Sequence, residues 1–232
     1  MTRMRSILAL SAIFATVSCG GQAAPGAGPV PVVSPAARAE PPAPVAAGEI
    51  IPAGYGTLKQ DDISIVLEAN GVRIAATPLD ESVIRTLAPD SYHSLHSYVE
   101  DHRRRIAQLA SMHALREPRV WYVRFDGLAP DARFVPTDLT VASGGRDFRP
   151  VDVVPLTSGF GEGRLQPRET QKGLLIFDDG VDPSQPLAVS VGTARNVDWD
   201  LGTTGILRKL DTERASIRAR ASSHPKPPSQ PR

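Results

Sequence analysis

Two imidazoles and a carboxylate, His93, His96 and Glu100, stand at i, i+3 and i+7. On a helix that spacing lines one face, and these side-chain types are metal ligands. Arg103 and Arg104 share the same face and repel a cation, and Glu100 has an i, i+4 partner in Arg104. The pattern reads first as an arginine-rich surface that could bind a partner through Arg103 and Arg104. Its second reading is a metal-binding or catalytic face on His93, His96 and Glu100. No metal and no cofactor are expected. His102 and His113 fall on the apolar stripe of the same segment. They are about 16 Å apart at 1.5 Å per residue, so one ion cannot bridge them.

Other polar groupings give weaker signals. Asp178-Asp179-Gly180 with Asp182 offers carboxylates to calcium, but without the regular alternation of an EF-hand loop. A turn between strands explains Asp-Gly as well. Gly159-Phe160-Gly161-Glu162-Gly163 has no helix after it to aim amides at a phosphate, so it reads as a hairpin loop. The chain has no Gly-x-Ser-x-Gly elbow, no Walker A loop and no His-Glu-x-x-His. Its single thiol, Cys19, lies in a leader. The expectation is a protein that is not an enzyme.

The leader itself is the most specific signal in the chain. Arg3 and Arg5 form a positive start, Ile7 to Val17 an apolar run, and Thr16-Val17-Ser18-Cys19-Gly20 follows. A spanning helix needs about 20 apolar residues, so this run is too short to remain as an anchor. Ser18 and Gly20 are small, and a cut after Gln22-Ala23-Ala24 would place Pro25 just beyond it. The segment resembles the lipobox of bacterial lipoproteins, although Thr16 stands where Leu is usual. That resemblance implies a signal peptide over residues 1–18 and a lipidated Cys19 as the first mature residue. It further implies a diacylglyceryl group on the sulfur and usually an acylated amine. Gly20 is not the Asp that marks inner-membrane retention, which favours the outer membrane in a two-membrane cell. With no thiol after Cys19, the mature chain has no disulfide.

Residues 19–54 read as a lipidated cysteine and a disordered tether. Pro25, Pro29, Pro31, Pro35 and Pro41-Pro42-Ala43-Pro44 favour extended chain without an apolar period. Residues 55–210 hold one domain, a size that suits a single core. Residues 211–232, with Arg214, Arg218, Arg220, Lys226 and Arg232 among Pro225, Pro227, Pro228 and Pro231, read as a basic, disordered tail. The formal net charge of the whole chain is +1, so no basic surplus exists to neutralise nucleic-acid phosphates.

The elements that would carry these groups are mainly strands. Asn70-Gly71 marks a two-residue type I′ hairpin. Its register would set Ala69 against Val72, Leu67 against Ile74 and Ile65 against Ala76. Further strands are expected through Trp121, Val123 and Phe125, from Asp138 to Ala142, from Asp147 to Val153, and through Leu174-Leu175-Ile176-Phe177. Two more run through Leu187, Val189 and Val191, and through Val197, Trp199 and Leu201. Short strands separated by Gly, Pro and Asp indicate an all-β sandwich, with Trp121 between its sheets.

Between the first hairpin and the Trp strand lies a helical insertion, residues 80–117. Asp80 caps a short helix from Glu81 to Ala88, and Asp90 caps one long helix running to about Leu115. Leu95, Val99, Ile106 and Leu109 form its apolar stripe.

The order of hairpin, Trp strand, Leu139-Thr140-Val141, Gly144-Gly145, Phe148-Arg149-Pro150 and then Leu165-Gln166-Pro167-Arg168-Glu169 before Gly173-Leu174-Leu175-Ile176-Phe177 carries a second resemblance. It resembles the immunoglobulin-like, telokin-like domains of exported bacterial proteins in the DUF4352 group. There a Leu-x-Pro-Gly-Glu segment precedes a Gly-hydrophobic-Phe strand; Arg168 occupies the Gly position here, and Asp126-Gly127 replaces the Asn that ends the Trp strand. The likeness covers most of residues 60–193 and implies an immunoglobulin-like β-sandwich with the long helix inserted between early strands.

Together these readings describe a lipid-anchored, non-enzymatic cell-envelope protein that binds another protein or an envelope polymer, or acts as a spacer. The alternatives are an accessory subunit of a secretion or envelope complex, and a metal-binding or enzymatic protein. The membrane is reached through the N-terminal lipid, and nucleic acid is not a partner.

Overall fold

Asn70 and Gly71 adopt φ of 51° and 74°, the left-handed pair that a type I′ turn requires. They join β1 (Ile65–Ala69) to β2 (Val72–Pro78). The antiparallel register sets Ala69 against Val72, Leu67 against Ile74 and Ile65 against Ala76, as turn chemistry and alternation required. The computed structural model of the chain describes residues 51–161 and 163–223. The leader, Cys19, the tether up to residue 50 and the Pro-rich residues 224–232 lie outside them. Ile51 is already buried and its carbonyl accepts from Arg85 Nη1. Packing therefore starts inside the segment 19–54 assigned to the tether.

The chain continues through β3 (Arg119–Gly127), β4 (Ala132–Arg133), β5 (Thr140–Ser143), β6 (Arg146–Phe148), β7 (Asp152–Pro155), β8 (Arg164–Leu165), β9 (Thr170–Phe177), β10 (Leu187–Val191) and β11 (Ala194–Asn196). They build a five-stranded sheet in the order β1-β2-β3-β9-β7, a four-stranded sheet β11-β10-β5-β6, and a small ribbon β4-β8. Every strand pairing in these sheets is antiparallel. The fold is thus mostly β, with a few helices.

β3 is central to the larger sheet, and both its faces are covered. Trp121, Val123 and Phe125 lie on one face; Trp121 is 1% exposed and meets Phe177 edge-on at 5.8 Å. On the other face Tyr122 is buried and pushed up to a pKa of about 12, first by burial and then by the nearby Tyr98. The same double coverage explains why Leu174 to Phe177 on neighbouring β9 read as a continuous apolar run: all four are fully buried. Gly173 sits opposite Val123. A Cβ there would lie 2.4 Å from the Phe160 ring. Glycine is what lets Phe160 reach Phe125 and Phe134 and close an aromatic cluster, with centroids 5.8 and 6.2 Å away.

Three expected elements take another form. The helical insertion is not one long helix. It is α1 (Glu81–Ile84), α2 (Pro89–Asp101) and α3 (Arg103–Met112). The break falls at His102, whose backbone leaves the helical region at φ −103°, ψ 9°, while its Nδ1 bonds the carbonyl of Tyr98 at 2.9 Å. Side-chain bonding four residues back competes with the helical ladder. Asp90 also does not cap α2; Ala88 holds that position with Pro89 at N1.

The second difference is the stretch from Asp147 to Val153, which divides between β6 and β7 in different sheets. The third is the last expected strand. The set Val197, Trp199 and Leu201 forms no strand: β11 ends before it at Asn196, whose Oδ1 accepts from Asp198 N and whose Nδ2 donates to the Asp198 carboxylate and to the carbonyl of Val66. This side-chain turn sends Trp199 into a 3-10 turn, Asp198–Asp200, where it is fully buried.

The segment from 211, expected as a disordered tail, is helical to Ser223 as part of α4 (Ile206–Ser223). Ile206, Leu210, Glu213, Arg214 and Ile217 form its buried face, spaced as one helical stripe. Glu213 accepts from the N–H and the hydroxyl of Thr57, and Arg214 donates twice to the carbonyl of Ser82. The charged pair in the middle of the stripe is therefore hydrogen-bonded, as burial demands. Side chains of both larger sheets and of all four helices meet in one hydrophobic cluster.

Candidate functional site

α2 and α3 lie over the face of the large sheet that bears Tyr122. Tyr98 of α2 stacks on Tyr122 at 5.4 Å and 8°, and His113, just past α3, reaches Asp152 of β7 with Nε2 at 3.1 Å. Leu95, Ile106 and Leu109 form the buried side of the pair, as the apolar stripe required. What remains outward is the polar side, and it carries the groups that spacing singled out.

His93, His96 and Glu100 do not converge. His96 turns to α1 and shares a hydrogen bond of 2.8 Å between its Nδ1 and Glu81 Oε1, with its ring stacked 5.2 Å from Tyr92. His93 is exposed, and the Glu100 carboxylate faces Arg103 at 3.8 Å rather than Arg104. Among the described residues no group of three or more His, Cys, Asp or Glu side chains is placed to hold a metal ion.

The residue that organises this corner is Glu81. Its carboxylate takes His96, the Nε of Arg85 and, at 3.3 Å, the hydroxyl of Tyr92. Burial first, and then the Glu81 charge, hold the Tyr92 phenol above its ordinary pKa. The cluster pins α1 to α2. Glu81 and Arg85 at i, i+4 are legible as a pair. The reach to Tyr92 and His96 is not, because it depends on the turn between the helices. That turn is held by Leu58 N to Thr86 O and Ala88 N to Leu58 O.

Arg103, Arg104 and Arg105 open α3 and are all exposed. The Arg103 side chain is 76% exposed, and Arg105 Nη1 donates to the neutral Gln108 at 3.0 Å. Basic residues in a first turn face the positive end of the helix dipole. The helix dipole therefore gains nothing from these charges.

Beside them stands the His113–Asp152 pair. Partial burial pushes the Asp152 carboxyl up, but the Val153 N–H, His113 and the Arg105 charge outweigh it and hold the group below its ordinary value. Asp178 and Asp182 serve turns: Asp178 Oδ1 accepts from Gly180 N and Asp182 Oδ1 from Ser184 N. The turn that ends at Gly161 delivers Phe160 to the aromatic cluster.

A cleft of about 600 Å³ opens at the entry to α1, between Asp80, the start of β3 and the loop at Asp182. At its centre Arg119 Nη1 bonds Asp80 Oδ2 at 2.9 Å. Asp80 Oδ1 meanwhile caps α1 through Ser82 N. Nothing in the local sequence marks this cleft, because its walls come from segments up to a hundred residues apart. The chain gives no match to a family model, to a curated protein or to a solved structure.

Proposed function

We propose that this protein is a lipid-anchored, non-enzymatic module of the cell envelope that binds an acidic protein or an anionic envelope polymer through the arginines of α3. The observation that carries the reading is the exposed run Arg103, Arg104 and Arg105 on a helix whose other side is fixed to the sheet. A rigid element that displays guanidinium groups loses little conformational entropy on binding and suits planar, bidentate recognition of carboxylate or phosphate.

The anchor rests on the leader and on Cys19; two acyl chains hold a protein on a membrane where one does not. No helix among the described residues is long and apolar enough to cross a membrane. For the domain we favour an immunoglobulin-like sandwich of the two larger sheets. Their common core and the Asn196-to-Val66 bond between β11 and β1 support this. So does Arg168, whose φ of 67° is a glycine conformation at the position where the DUF4352 pattern has Gly.

Two His–carboxylate pairs, His96–Glu81 and His113–Asp152, are the nearest approach to an enzymatic reading. Among the described residues neither histidine is hydrogen-bonded to a serine or threonine hydroxyl, so no activated nucleophile supports it. The test of the binding surface is crosslinking in intact cells with Arg103→Glu/Arg104→Glu. Both positions are exposed, so the fold is expected to survive. Loss of a partner seen with wild type is the expected result, and retention of every partner overturns the proposal.

A further inference from the structure

The stretch from His102 to Arg116 carries Arg103, Arg104, Arg105 and Arg116 and no Asp or Glu. All four arginines are exposed. Ile106, Leu109 and Ala110 hold the inner side of α3 in the core, so its outward row is Arg104, Gln108 and Met112, at i, i+4 and i+8. Arg105 flanks that row through its bond to Gln108. Arg104, which starts the row, has no hydrogen bond, ion pair or ring contact among the described residues. Two nearby carboxylates are already occupied: Glu100 faces Arg103 at 3.8 Å, and Asp152 pairs with His113 at 3.1 Å.

Met112 ends the row. Its exposure of 66% is the largest of any large hydrophobic side chain among the described residues. A single exposed apolar side chain is ordinary on a protein surface. This one is distinguished by its place, on the same face of one helix as the arginines and next to Arg116 at the end of that helix.

We propose that this face of α3 docks on a bilayer that contains anionic phospholipid. Arg103, Arg104, Arg105 and Arg116 lie at the headgroup phosphates, and the Met112 end of the helix dips to the acyl boundary. Guanidinium groups suit bidentate pairing with phosphate. An anionic polymer would also pair with the arginines, but it offers no apolar layer to Met112. A bilayer presents phosphate at its surface and hydrocarbon beneath. The contact is peripheral, because the apolar side of α3 is committed to the core. This inference shares the arginine face with the proposed function and does not depend on lipidation of Cys19.

The experiment is co-sedimentation of the full chain, carrying Cys19→Ser so that no acyl group is attached, with vesicles of phosphatidylcholine and phosphatidylglycerol. Pure phosphatidylcholine vesicles measure whatever binding the apolar run of the leader contributes, which is common to every variant. Tighter binding to the anionic vesicles is expected. Arg103→Gln and Arg104→Gln should each weaken it by about fivefold, the effect of one basic residue near an anionic leaflet. Met112→Gln should weaken it by about tenfold, as loss of a buried apolar side chain does, and Met112→Leu should preserve it. All these positions are exposed, and thermal midpoints of the variants verify folding. Equal binding to both kinds of vesicle, or binding to anionic vesicles unchanged by Arg104→Gln, overturns the proposal. Binding that needs the arginines but is indifferent to Met112→Gln also overturns it, since α3 then meets only a charged surface. Polyglutamate serves as a soluble probe without hydrocarbon. If the chain binds it through Arg103 and Arg104 but does not bind anionic vesicles, the bilayer is ruled out while the arginine face of the proposed function stands.

Discussion

Gly173→Ala is a test of how the aromatic cluster is built. The added Cβ would fall 2.4 Å from two carbons of the Phe160 ring and 2.8 Å from a third. Carbon contacts are optimal at about 3.5–4.0 Å, so the ring must retreat by roughly 1 Å. Overpacking of this kind costs about 1–3 kcal/mol, and loss of glycine flexibility in a strand returns about 0.5–1 kcal/mol. The net expectation is a loss of about 1–2 kcal/mol, or roughly 2–8 °C in Tm for a domain of this size. Phe160→Ala removes the obstacle and costs about 3 kcal/mol by itself. In the double variant the alanine at 173 should then cost nothing or stabilise slightly. Urea unfolding followed by fluorescence of the buried Trp121 and Trp199 gives the full cycle. If Gly173→Ala costs the same with and without the Phe160 ring, the ring is not what excludes a side chain there, and Phe160 does not pack on Gly173.

Two further outcomes follow from individual residues. Asp152 is held below its ordinary value near 3.8, so its contribution to stability is present above that pH and is lost as pH falls through the lowered folded value. Asp152→Asn should therefore lower stability at neutral pH and flatten the acid limb of a Tm-against-pH curve; an unchanged limb below pH 4 would contradict this. Arg168 holds a φ of 67°, which costs a non-glycine residue about 1–2 kcal/mol. Arg168→Gly should stabilise by about 0.5 kcal/mol after the entropic cost of glycine, a rise of about 1–2 °C in Tm. A fall in Tm would show that the Arg168 side chain makes a compensating contact.

The β framework was legible where two local signals agreed. At Asn70-Gly71 the turn demands one register and the alternation of Leu67 and Ile65 with Ile74 and Ala76 supplies the same one. At Leu187, Val189 and Val191 alternation alone was enough. Signals failed where a side chain replaced a backbone partner. His102 breaks a periodic helix by bonding Tyr98, and Asn196 ends β11 just before the periodic set at Val197 by bonding Val66 and Asp198. Neither bond alters the hydrophobic pattern. α4 was hidden because Glu213 and Arg214 sit inside its buried stripe and because prolines follow it closely. Arg103 and Arg104 could be placed on a polar helix face from spacing. Glu81 as a hub and the cleft at Arg119 could not, since both are assembled from residues that only the tertiary fold brings together.

The account depends most on Cys19, because an envelope binding surface has meaning only if the chain is held at a membrane. Metabolic labelling with radioactive palmitate, in cells expressing the full chain and its Cys19→Ser variant, tests this directly. The expected result is label in the wild-type band in the membrane fraction and none in Cys19→Ser, which is released or left as an uncleaved precursor. Wild-type protein that carries no label, or label that persists without Cys19, would contradict the account.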